Sequence, residues 1–146
     1  MNKRLSMIIL QRSKQQLQNH NKMDVKCCLE RLREFHEMKL QVEHEFDLFA
    51  QIEFYESLWQ GMPSGYSDYA ETKSRVFSLQ QYINEYKEEY CLTHIDAVPD
   101  NFLILSDGSV KLIDWEYAAM QDPHVDIAMF AIYSLYDKDQ VDSLID

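Results

Sequence analysis

The chain is 146 residues long, 46% hydrophobic and 12% aromatic, enough apolar content for one globular domain with its own core and too much for a disordered segment. Twenty-five acidic residues against fourteen basic ones give a formal net charge of −11, which repels nucleic-acid phosphates and anionic membrane surfaces. Cationic or metal-bound partners fit that charge better.

Cys27, Cys28 and Cys91 show no repeated metal-ligand spacing, so zinc is not expected, and reduced thiols in a cytoplasmic setting are. The apolar patch Met7-Ile8-Ile9-Leu10 is too short to span a bilayer, and no membrane insertion is expected.

Residues 1–22 read as a separate, divergent N-terminal helix, basic and glutamine-rich, with Leu5, Ile8, Ile9 and Leu17 at loose helical spacing. Asp24 is a good N-cap for a helix over 24–39, whose Val25, Cys28, Leu29, Leu32, Phe35 and His36 recur at three- and four-residue steps and must face a core. Asp47 can cap a second helix over 47–60, with Phe49, Ile52, Tyr55, Leu58 and Trp59 as its buried face and Gly61-Met62-Pro63-Ser64-Gly65 as its stop. The longest periodic run, Thr72, Val76, Leu79, Ile83, Tyr86 and Tyr90, predicts a helix over 68–90.

A loop over 92–101 follows, then a hairpin over 102–113. Its two short runs of β-formers flank Ser106-Asp107-Gly108-Ser109, where Asp-Gly favours a tight turn. After Asp122-Pro123, residues 124–136 are apolar nearly all round, as in a helix buried on most sides, and one more helix begins near 137. The fold class is therefore mainly α with a small β-hairpin.

The chemistry concentrates between Leu92 and Tyr117. His94-x-Asp96-x-x-x-x-Asn101 has the spacing of the protein-kinase catalytic loop, apart from the residue after the histidine. Phosphoryl transfer needs a carboxylate at the attacked hydroxyl, to orient it and take its proton, and hard oxygen ligands for Mg²⁺. Asp96 suits the first task, and Asn101 with Asp114, returned by the hairpin, suits the second. Singly each has an ordinary reading: Asp96 capping a turn, Asn101 starting a strand, Asp114 capping a helix. Their order around a hairpin is the specific signal. His94 reads as a ring bonded to backbone that shapes the loop.

The stretch 94–101, then Leu112-Ile113-Asp114-Trp115-Glu116-Tyr117-Ala118, Asp122-Pro123 and Asp126-Ile127-Ala128, resembles the C-terminal lobe of the choline kinase and aminoglycoside phosphotransferase superfamily, nearest to bacterial choline kinases of the LicA type. Leu32-Arg33-Glu34-Phe35-His36 also resembles the helix that family places before its catalytic loop. Similarity covers about 23–146, a partial lobe. The resemblance implies a protein-kinase-like lobe, transfer of the γ-phosphoryl of ATP to choline or a similar amino alcohol, Asp96 as base, and Asn101 and Asp114 as ligands of Mg²⁺. It implies that Asp126 braces the loop, although Asp126 also suits a helix N-cap. Glu116 and Tyr117 would meet a quaternary ammonium, since an aromatic face and a carboxylate both attract a cation. Tyr117 suits core packing equally, and Trp115 is expected in the core.

The sequence departs from the family at Ile95, where choline kinases often carry asparagine. It also shows no glycine-rich loop and no identifiable strand lysine with a helix glutamate partner; its three glycines are Gly61, Gly65 and Gly108. The expectation is a truncated lobe, without the nucleotide-binding N-terminal lobe, that has little activity alone and self-associates through uncovered apolar faces. Two alternatives remain: an aminoglycoside kinase, whose site would gather several acids for a polycation, and a non-catalytic remnant serving as an interaction module.

Overall fold

A computed structural model describes residues 22–87 and 89–145. The helix expected over 1–22 lies outside the described residues except at its last position. Helix α1 (Lys22–Glu37) is followed by α2 (Leu48–Ser57) and α3 (Tyr69–Tyr86). Strand β1 (Cys91–Thr93) then leads through a loop and a 3₁₀ turn (Pro99–Asn101) into β2 (Phe102–Ile104), β3 (Val110–Leu112) and β4 (Ala119–Gln121). Helices α4 (His124–Tyr133) and α5 (Lys138–Ile145) close the chain.

The stripe read from the sequence places α1 against the centre of the molecule. Cys28 and Leu32 are buried with Ala97, Phe102 and Phe130, and Val25, Leu29, Ile127 and Tyr136 pack around them. Phe102 and Phe130 meet edge to face, with centroids 5.5 Å apart, a favoured aromatic geometry. The helix begins two residues before Asp24, which therefore lies in the first turn and not at the cap. Burial pushes the Cys28 thiol up to about 12.

Two short antiparallel pairs fix the loop region. In the expected hairpin Phe102 pairs with Leu112, Leu103 with Lys111 and Ile104 with Val110. Its tip is a three-residue loop: Leu105 N–H donates to Ser109 O at 2.8 Å and Gly108 N–H to Leu105 O at 3.0 Å. Gly108 takes φ +83, a left-handed backbone that glycine adopts without steric cost.

The second pair was not expected. Cys91, Leu92 and Thr93 register with Gln121, Met120 and Ala119. The helix expected to reach residue 90 stops at Tyr86, because Lys87 turns to an extended backbone (ψ 142) toward β1. Residues 44–46 run along the other edge of β4, where Met120 N–H donates to His44 O and Phe46 N–H to Met120 O.

Asp47 caps α2 as expected, its Oδ1 accepting the Phe49 and Ala50 N–H groups at 2.9 Å. The buried faces expected for α2 and α3 are absent: none of their residues is buried. The helices lean on each other instead. Phe49 meets Phe77, Trp59 meets Tyr69, and Glu56 accepts from both Tyr69 and Lys73. Tyr55, Leu58, Leu79 and Tyr86 remain exposed. Helix α4 is also less covered than expected; it buries Asp126, Phe130 and Ala131, while Ile132, Tyr133 and the following Leu135 are exposed.

Leu32→Ala is expected to lower the unfolding free energy by about 2–5 kcal/mol, the range for a buried leucine, and Leu79→Ala by no more than about 0.5 kcal/mol, both measured by urea denaturation. The raised Cys28 thiol means that the folded chain holds a proton the unfolded chain releases above its ordinary value of 9.0, so stability falls as pH rises from 9.0 toward 12. In Cys28→Ala that fall is expected to lose about one proton of slope, read from denaturation midpoints across this range.

Candidate active site

Strand β1 delivers the chain into His94-Ile95-Asp96, and the carboxylate of Asp126 holds this corner. Asp126 is 0% exposed. Its Oδ2 accepts the His94 N–H at 3.0 Å and its Oδ1 accepts the Ile95 N–H at 2.8 Å. His36 Nε2, from the end of α1, lies 2.8 Å from the same Oδ2. Three donors around one carboxylate are what a buried charge requires. Asp126 sits inside the first turn of α4 and not at its cap.

His94 is wholly buried. Its Nε2 donates to the Ile113 carbonyl at 2.9 Å, tying the loop to the residue before Asp114. Its Nδ1 has no hydrogen-bond partner among the described residues. The ring meets Trp115 edge-on at 4.6 Å, and Trp115 in turn meets Phe35 at 4.9 Å. Trp115 is not a core residue as expected: it remains 40% exposed, with its indole N–H donating to Leu112 O at 3.0 Å.

The 3₁₀ turn folds Asn101 back over Asp96. Asn101 Nδ2 lies 2.7 Å from the Asp96 carbonyl and 3.0 Å from Asp96 Oδ2. Both amide hydrogens are thus directed at Asp96, which leaves Asn101 Oδ1 as an acceptor or ligand. Ile113 N–H donates to Asn101 O at 3.0 Å, adding one rung to the hairpin. Asp114 comes next, exposed and with φ 66. The hairpin therefore returns the chain at Asp114 to within one residue of the rung on Asn101, whose amide is itself bonded to Asp96. Such sparse hard-oxygen donors fit Mg²⁺, which keeps waters and substrate phosphates in its shell. Among the described residues no group of three or more His, Cys, Asp or Glu forms a protein metal cage.

Glu116 and Tyr117, which follow in the chain, are both exposed. The Tyr117 hydroxyl is held above the usual tyrosine range, first by Glu116, then by partial burial, then by Tyr55, Asp96 and Asp114. Tyr117 therefore shares one electrostatic environment with Asp96 and Asp114, and with Tyr55 of α2. Two residues were not singled out from the sequence as parts of this site. His36 could have been, because a polar ring ending an apolar stripe needs a partner. Tyr55 carried no such signal.

The helices and the small antiparallel pairs form a kinase-like fold, and comparison with known proteins gives its family. The sequence profile of choline/ethanolamine kinase matches residues 12–142, and the chain belongs to that family. It is 29% identical over 120 residues to Protein LicA of Haemophilus influenzae, across 79% of this chain and 43% of that protein. The crystal structure of choline kinase LicA from Streptococcus pneumoniae superposes with a TM-score of 0.74 at 29% identity, covering 86% of this chain and 45% of that one. LicA solved in complex with AMP matches equally well, with a TM-score of 0.74. A choline/ethanolamine kinase family protein from Mesorhizobium loti shares the fold, with a TM-score of 0.62 at 21% identity. The chain spans less than half the length of these relatives. No helix among the described residues is long and apolar enough to cross a membrane.

Asp126→Ala strands two buried backbone N–H groups and is expected to cost about 2–5 kcal/mol of stability in urea denaturation. Asp114→Ala, at an exposed position, is expected to change stability by less than about 1 kcal/mol.

Proposed function

We propose that this chain supplies the base-and-metal half of a choline kinase-like phosphotransferase, which moves the γ-phosphoryl of ATP to the hydroxyl of choline or a similar amino alcohol. The observation that carries this reading is the clasp of Asn101 on Asp96 with Asp114 returned beside it by the hairpin.

Asp96 would orient the substrate hydroxyl and accept its proton. The Asn101 amide, by donating to Asp96, would keep the carboxylate aimed, and its own oxygen and the Asp114 carboxylate would hold Mg²⁺. When bound, the metal neutralises charge on the nucleotide phosphates. Glu116 and the Tyr117 ring would receive the quaternary ammonium. His94 and Asp126 would support the loop. LicA structures, one of them with AMP, support nucleotide use. No glycine-rich phosphate loop can be recognised in the chain, so its own kinase activity is expected to be small. The exposed apolar residues of α2, α3 and α4 favour self-association, which light scattering at increasing concentration would show.

The test is ATP-dependent phosphorylation by the purified chain, alone and co-expressed with the N-terminal half of S. pneumoniae LicA. The pair is expected to phosphorylate choline in preference to kanamycin, and Asp96→Asn to reduce kcat about 10²–10⁴-fold, the usual contribution of a positioned base. Asp114→Asn should instead raise the Mg²⁺ concentration needed. Phosphorylation that survives Asp96→Asn unchanged would refute the assignment.

A further inference from the structure

Helix α4 ends on a residue whose backbone and exposure are both unfavourable. The Leu135 N–H donates to Ile132 O at 3.1 Å and the Tyr136 N–H to Ala131 O at 3.1 Å, the paired bonds that close a helix through a left-handed residue. That residue is Leu135, with φ 57, where glycine would carry no steric cost and leucine does. Its side chain is 89% exposed, and Ile132 and Tyr133 just before it are exposed as well. Residues 132–146 hold four aspartates against the single Lys138, which Asp142 engages. An apolar patch followed at once by acidic residues therefore closes α4.

We propose that the chain's own residues 1–21 cover this patch, with Leu5, Ile8 and Ile9 against Ile132, Tyr133 and Leu135, and with Arg12 and Lys14 toward the aspartates. Residues 1–21 lie outside the described part of the chain; their sequence and their point of attachment support the assignment. Leu5, Ile8 and Ile9 recur at helical spacing, and Arg12 follows one turn on along the same face. The segment carries Lys3, Arg4, Arg12 and Lys14 and no acid, in a chain whose net charge is −11. An apolar face followed by bases thus meets an apolar patch followed by acids.

The attachment point is close to the patch. His36 at the end of α1 bonds Asp126 at the start of α4, while Val25 and Cys28 lie with Phe130 and Tyr136. The two helices therefore run in opposite directions, and α1 starts beside the end of α4. The Tyr136 hydroxyl, held above the usual tyrosine range first by burial, is raised also by Cys28. At about 1.5 Å of rise per residue, Lys22 lies about 9 Å before Cys28, and the preceding segment spans about 30 Å even as a helix. Asn19 and Asn21 suit the turn that brings it back. The family profile begins at residue 12, so the apolar residues of this cover lie outside it. Covering α4 leaves α2 and α3 as the surfaces for self-association.

The experiment is limited trypsin digestion of the purified chain, read as cleavage after Arg12. Cleavage after Lys111 in β3 is the internal standard for global unfolding, and a synthetic peptide of residues 1–21 is the uncovered reference. In the native chain cleavage after Arg12 is expected to be at least about 10-fold slower than in the peptide. Leu135→Gly removes the contact while relieving the left-handed backbone, so it is expected to speed that cleavage at least about 5-fold without speeding cleavage after Lys111. Ile8→Glu combined with Ile9→Glu should give the same rise, and adding Leu135→Gly to that pair should change it less than about 2-fold. Every readout is independent of catalysis, so failure here leaves the kinase reading untouched. Cleavage after Arg12 as fast as in the peptide, no response to Leu135→Gly, or effects of the two sites that multiply in full would each overturn the inference. Protection that grows with protein concentration would overturn it as well, and would assign the patch to the segment of a second copy.

Discussion

Three donors from two separate stretches of chain converge on the Asp126 carboxylate, and the position of the loop that leads into Asp96 depends on that convergence. A buried carboxylate without partners would carry a desolvation cost large enough to remove much of a small domain's stability. With its partners in place it joins α4 to the loop and α1 to both. Asp96 follows immediately, so its direction is inherited from Asp126 and not from its own contacts alone. His94 then passes the constraint on, since its ring bonds the Ile113 carbonyl next to Asp114.

The core supports this arrangement from one side. Leu32 and Cys28 from α1, Ala97 from the loop, Phe102 from β2 and Phe130 from α4 form one apolar cluster. Each of the elements that positions a polar residue of the site therefore also contributes a buried apolar one. Phe102 follows Asn101 directly, and its burial fixes the start of the hairpin while the Asn101 side chain turns to Asp96. Packing and polar placement are set by neighbouring residues on the same short segments, which leaves little freedom between them.

How far this could be read from the sequence depended on range. The stripe of α1, the Asp47 cap and the hairpin around Gly108 are local patterns, and so is the return of the chain at Ile113 to Asn101, because a hairpin brings its entrance and exit together. The β1–β4 pair was illegible: Cys91–Thr93 falls at the junction of the helix expected over 68–90 and the loop expected over 92–101, and its partner strand lies beyond the hairpin. The bond from His36 to Asp126 spans 90 residues, which no local period encodes. Apolar periodicity also misled, since Tyr55, Leu58 and Leu79 have the spacing of a buried face and are exposed. Periodicity shows that a face is apolar; which surface covers it is a tertiary matter.

That difference divides the molecule by rigidity. Helices α2 and α3 hold each other through Glu56, Lys73 and aromatic pairs, with no buried residue of their own, so their opening costs less than opening of the core around Leu32. Tyr117 lies where the two parts meet, influenced by Glu116, Asp96 and Asp114 on one side and by Tyr55 on the other. Groups proposed for the chemistry thus rest on the rigid part, while a residue near the proposed ammonium site belongs to the softer helix pair. Changes in α2 can alter what is recognised without moving Asp96, because the loop takes its geometry from Asp126, which lies on the rigid side.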